Sequence, residues 1–108
     1  MAASGGIMAD RRKEEGDVKV APKVDKPPMW KVIFHNDDYT TMEFVVFVLQ
    51  ELFKHTPASS TRVMLHIHKT GIGIAGVYTR EVAETRVEKT LALAREVGHP
   101  LQVTMEPE

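Results

Sequence analysis

The 108-residue chain has room for one small domain, and its 43% hydrophobic and 27% charged residues are ordinary for a globular protein. A net charge of −1 offers no basic surface for nucleic acid or anionic lipid, and no apolar run approaches the roughly 20 residues needed to span a bilayer. The absence of cysteine excludes disulfides and thiolate metal sites and fits a reducing compartment, so a cytoplasmic location is expected.

Residues 1–27 contain no aromatic side chain and carry six Lys/Arg and five Asp/Glu among Gly, Ala and Pro. Such a segment buries too little apolar surface to offset its ordering entropy, which predicts a disordered N-terminal extension. Met1–Gly16 has no apolar stretch followed by a cleavage site, so no secretory leader is expected. The folded core is expected over 28–108.

From Met29 the pattern changes. Trp30, Val32 and Phe34 alternate with Lys31, Ile33 and His35, the period-two spacing of a strand, and Asn36-Asp37-Asp38 stops it in a turn. Thr40-Thr41-Met42-Glu43 has the spacing of a capping box with Thr40 as the cap. The helix after it, Met42 to about Lys54, is apolar on most sides and should be largely buried.

Thr56-Pro57 opens a second helix to about His68, with Gly71 placed to end it. Ile72–Thr79 reads as a strand, although Gly73 and Gly76 weaken the pattern. Thr79 can cap a third helix, Arg80–Val97, with the stripe Ala83, Val87, Leu91, Ala94 and a stop at Gly98 and Pro100. Leu101, Val103 and Met105 then alternate with polar residues as a last strand. The order β-α-α-β-α-β predicts an α/β fold, a small sheet covered by helices.

Three features could carry chemistry. Asn36, Asp37 and Asp38 lie between a strand and a helix, where acidic groups can cap the helix, bind a cation or receive an ammonium group. His66 and His68 are about 200° apart on a helix of 3.6 residues per turn, which disfavours a shared metal. His68 falls on the side of Met64 and Ile67, a pattern that reads on its own as a half-buried core histidine. Gly71-Ile72-Gly73-Ile74-Ala75-Gly76 leads into a strand, the opposite of the context a dinucleotide motif needs. There is no nucleophile elbow, phosphate loop or His-Glu-x-x-His motif, so a binding module fits better than an enzyme.

Asn36–Val45, Met64–His68, Gly76–Thr79, Glu81–Thr85 and His99–Leu101, taken together in this order and spacing, resemble the ClpS family of N-end-rule adaptors. The resemblance runs from about Trp30 to Glu106. It implies a three-stranded antiparallel sheet packed with three helices, as in the C-terminal domain of a ribosomal stalk protein. It also implies a non-enzymatic adaptor without cofactor or metal. Such adaptors bind proteins whose first residue is Leu, Phe, Tyr or Trp and deliver them to the ClpA unfoldase of the ClpAP protease.

By resemblance, Asn36 and His68 match positions that hydrogen-bond the α-amino group, with Asp37 and Asp38 beside them. Thr40, Met42, Val45, Met64, Ile67 and Leu101 match the hydrophobic pocket, Met42 as the gatekeeper against β-branched residues. Glu81 and Arg86 match a patch that docks on the unfoldase, and the N-terminal extension matches one that engages its pore. Thr41 stands where Pro is usual, Ile67 where Val is common and Arg86 where Lys is frequent. These departures imply a tilted preference among the four first residues, as in the second ClpS copy that many bacteria carry. Two other readings compete: a zinc hydrolase built from His35, His66, His68 and the Asp pair, and a stalk-like interaction module that shares only the fold.

Overall fold

A computed structural model describes residues 27–108; the expected extension over 1–27 lies, apart from Pro27, outside them. The element order is β1 (Met29–His35), α1 (Met42–Glu51), α2 (Pro57–Thr70), β2 (Ile72–Thr79), α3 (Arg80–Glu96) and β3 (Gln102–Pro107). The first strand is central, in the order β2-β1-β3, and both pairings are antiparallel.

Alternation along β1 places Val32 and Phe34, both fully buried, on the face that the helices cover. Phe44, Val45, Val48 and Leu49 of α1 join them, with Ile67 of α2, Ala83 and Ala94 of α3, Leu101 just before β3 and Val103 within it. Phe34 and Phe53 meet edge to face, 5.4 Å between centroids. Each fully buried aliphatic or aromatic side chain here contributes ~1.5–3 kcal/mol. On the opposite face Ile33 is buried, while Ile72 and Ile74 are about half exposed beside Arg62, Val63 and His66 of α2.

The pairing of β1 with β2 slips after Val32, which faces Gly76, whereas Ile33 faces Ile74. Ala75 is therefore an extra residue, a bulge. Its carbonyl accepts a 2.6 Å hydrogen bond from His55 Nε2, while Nδ1 of the same ring bonds the Ser59 hydroxyl at 2.7 Å. Gly73 and Gly76 are compatible with the strand because they permit close approach. A Cβ at residue 73 would lie 2.5 Å from Ile67 Cγ1, and one at residue 76 would meet the Tyr78 ring.

Three local expectations are corrected. The cap of α1 is Thr41, whose hydroxyl accepts from Phe44 N–H at 3.1 Å; the hydroxyl of Thr40 is instead held by Asp37. The helix ends at Glu51 rather than near Lys54, where the backbone turns through φ 61°. It is also less buried than its composition suggests, since Met42 and Phe47 are 44% and 51% exposed.

Candidate functional site

The site begins in the turn after β1. Asp37 Oδ1 accepts from the backbone N–H of Tyr39 at 2.8 Å and of Thr40 at 2.7 Å, and Oδ2 accepts from the Thr40 hydroxyl at 2.7 Å. Partial burial alone would raise this carboxyl's pKa. The hydrogen bonds from Thr40 and Tyr39, with the nearby charge of His99, outweigh burial and hold it below the usual carboxylate value. Asp37 is therefore a fixed anion that also shapes the turn. Thr41 then caps α1, which carries Met42 and Val45 to one wall of a hollow.

The other wall is α2. Its last turn ends at Gly71 with φ 97°, a left-handed conformation that suits glycine. The Gly71 carbonyl accepts from Asn36 N–H at 2.8 Å, which ties the end of α2 to the start of the acidic turn. His68, three residues earlier, is thereby set beside Asn36. Helix periodicity puts Met64 and Ile67 on the same side, facing α1.

Asn36, Asp37, Asp38, Thr40, Met42, Val45, Met64, Ile67 and His68 line one cavity of about 260 Å³. Its composition is divided. Asn36, the two carboxylates and His68 supply acceptors, and Val45, Ile67 and the two methionines supply an apolar wall. His68 is exposed rather than a half-buried core residue, and no described residue hydrogen-bonds its imidazole. Leu101 is 5% exposed, buried in the core and outside this lining.

His35, His66 and His68 are not gathered into one site. His35 bonds the Thr104 hydroxyl at 2.8 Å, and His66 lines a separate hollow with Ile33, Ile72 and Ile74. No group of three or more potential metal ligands occurs among the described residues.

Glu81 and Arg86 share a hollow on α3 with Val82, Thr85 and Lys89. The Arg86 guanidinium donates to the Leu52 carbonyl at the end of α1 and lies over the Tyr78 ring, 5.4 Å from its centre. Sequence reasoning missed this inward engagement, as it missed the bridge made by His55. Local spacing gives no signal for either, because the carbonyls they reach, Ala75 and Leu52, are 20 and 34 residues away. Glu81 also borders the hollow at Pro27, Pro28 and Trp30, where the described chain begins.

The cavity at the acidic turn sets hydrogen-bond acceptors beside an apolar wall, the make-up of a ligand-binding site. Residues 25–104 match the family described as ATP-dependent Clp protease adaptor protein ClpS. The chain is 52% identical over 104 residues to the Clp protease adapter ClpS of Desulfatibacillum aliphaticivorans, covering 94% of this chain and 100% of that one. It is 54% identical over 85 residues to that of Phenylobacterium zucineum, covering 79% of this chain and 78% of the relative. The solved structure of Agrobacterium tumefaciens ClpS2 bound to L-phenylalaninamide superposes with a TM-score of 0.74 at 40% identity, over 77% of this chain and 100% of that one. The chain belongs to the ClpS family of Clp protease adaptors. Among the described residues, no helix is long and apolar enough to cross a membrane.

Proposed function

We propose that this adaptor binds the first residue of proteins that begin with Leu, Phe, Tyr or Trp and delivers them to the ClpA unfoldase for degradation by ClpP. The observation that carries the reading is the divided cavity: acceptors at Asn36, Asp37, Asp38 and His68 beside an apolar wall of Met42, Val45, Met64 and Ile67. An α-ammonium needs acceptors and a counter-charge. Asn36 Oδ1, the Asp38 carboxylate and an unprotonated His68 nitrogen supply the first, and Asp37, its oxygens already engaged, adds fixed negative charge. An acetylated amine loses its charge and leaves acceptors unpaired, at ~1–3 kcal/mol each.

The side chain of residue one enters the apolar wall, where burial adds ~1.5–3 kcal/mol. Methionines adapt to several shapes, and Met42 at the rim rejects a side chain branched at Cβ. Ile67 and Thr41 tilt the preference among the four. Leu101 acts from behind, by supporting the wall. The adaptor itself catalyses nothing and works in the cytoplasm.

Glu81 and the exposed part of the α3 hollow form the docking patch, with Arg86 holding the surface in shape. Pro27 and Pro28, where the described chain begins, lie beside Glu81, close to the proposed docking patch. Deleting residues 1–20 is expected to spare peptide binding and abolish delivery.

The test is fluorescence anisotropy with a labelled Leu-, Phe-, Tyr- or Trp-initiated peptide against its N-acetylated form. Binding that is lost on acetylation and on His68→Ala is expected. Failure of all four free peptides to bind refutes the proposal.

A further inference from the structure

Beside the pocket lies a second hollow of about 350 Å³ along α1, walled by Met42, Val46, Phe47 and Met64. Met42 and Met64 belong to both cavities, so the two form one continuous surface. Phe47 is half exposed on a helix whose other large residues mostly face the core. A contiguous apolar patch next to a ligand site differs from a lone surface residue, because it can remove more ligand surface from water. Glu43 and Glu51 stand at the two ends of this hollow, and neither has an ion-pair partner among the described residues.

We propose that this hollow is a second specificity site of the adaptor, which receives the third residue of the bound protein when that residue is apolar. The inference rests on the reading above, with the first residue held in the pocket. In an extended chain, residues one and three point to the same side and are separated by twice ~3.3 Å. Met42 and Val46 are four residues apart on α1, about 6 Å at 1.5 Å per residue. A chain leaving over Met42 therefore brings its third side chain against Val46 and Phe47, while the second points away. The free carboxylates of Glu43 and Glu51 suit Lys or Arg in the neighbouring positions of the same segment.

Anisotropy titrations test this with three peptides, all beginning with Phe and differing only at residue three: Ser, Leu or Asp. The Leu peptide is expected to bind about fivefold tighter than the Ser peptide, the factor that half-burial of a leucine implies, and the Asp peptide more weakly than Ser. In Phe47→Ala the Leu advantage is expected to disappear while affinity for the Ser peptide stays unchanged, which separates this site from the pocket. Equal affinity for Leu and Ser peptides in the parent overturns the proposal and leaves first-residue recognition intact. If none of the three binds, first-residue recognition has failed and this site falls with it.

Discussion

Gly73→Ala offers a direct test of how the pocket wall is held. The backbone there tolerates alanine, because among the described glycines only Gly71 and Gly98 have positive φ. In open space the change would stabilise by ~0.4–1 kcal/mol through the unfolded chain. Here the new methyl would lie 2.5 Å from Ile67 Cγ1, and ordinary contact begins near 3.4 Å, so Ile67 must retreat by roughly 1 Å. The contacted atom belongs to a stiff β-branched side chain, not a flexible tip. Overpacking of this kind costs ~1–3 kcal/mol, which exceeds the entropic gain.

The net loss of about 1 kcal/mol should lower the melting midpoint by ~4–8 °C, readable by thermal circular dichroism. Ile67 can retreat only toward the cavity it shares with Val45 and Met64, or by lifting α2. Either response should weaken a Trp-initiated peptide more than a Leu-initiated one. Combined with Ile67→Ala, the two changes should cost less than their sum by more than ~0.5 kcal/mol, since the new methyl refills part of the hole. An unchanged midpoint, or strict additivity in the pair, would refute the proposed contact.

Two further outcomes follow from named interactions. Asp37→Asn should destabilise at neutral pH by about 1 kcal/mol, since an amide cannot replace both carboxylate oxygens as acceptors. Because the folded Asp37 titrates below its ordinary value, its contribution is complete above about pH 4 and is lost as pH falls through the lowered value. Urea midpoints of parent and variant should therefore converge in acid; a gap that stays constant would contradict the assignment. Arg86→Ala should cost ~1.5–3 kcal/mol by urea denaturation, through loss of a charged hydrogen bond to Leu52 and of the stack on Tyr78. Burial already raises the Tyr78 pKa while Arg86 opposes it, so removing Arg86 should move the tyrosine absorbance titration to higher pH; no movement would sever the pair.

The element order and most boundaries were legible because the sequence repeats its apolar residues at two clean periods. Ile72–Thr79 was readable as a strand despite its glycines, and the structure supplies the reason they are there: one faces Ile67 and the other Tyr78. What failed was local ambiguity between neighbours of one type. Thr40 and Thr41 can both cap, and only the prior claim of Asp37 on the Thr40 hydroxyl decides between them. The exposure of Phe47 was hidden for a different reason, since seven apolar residues on one helix give no hint of which face lacks a neighbour. Similarly, no pattern near Arg86 points to a carbonyl 34 residues away.

The pocket residues come from two short segments about 30 positions apart, and their juxtaposition depends on very few backbone contacts. The Asn36 N–H reaches Gly71, which can receive it there because a left-handed glycine ends α2 at that point. That bond fixes His68 against the turn. Asp37 then draws in Thr40, Thr41 starts α1, and Met42 and Val45 arrive opposite Met64 and Ile67. The polar end of the cavity is thus built by caps and turns, whose geometry is set by hydrogen bonds, and the apolar end by helix faces, whose side chains can adjust. A rigid charged end beside an adaptable apolar end would demand a free α-amino group strictly while tolerating several bulky side chains. Under the proposed function, the same division would let the departures at Thr41 and Ile67 tilt preference without removing recognition of the N-terminus.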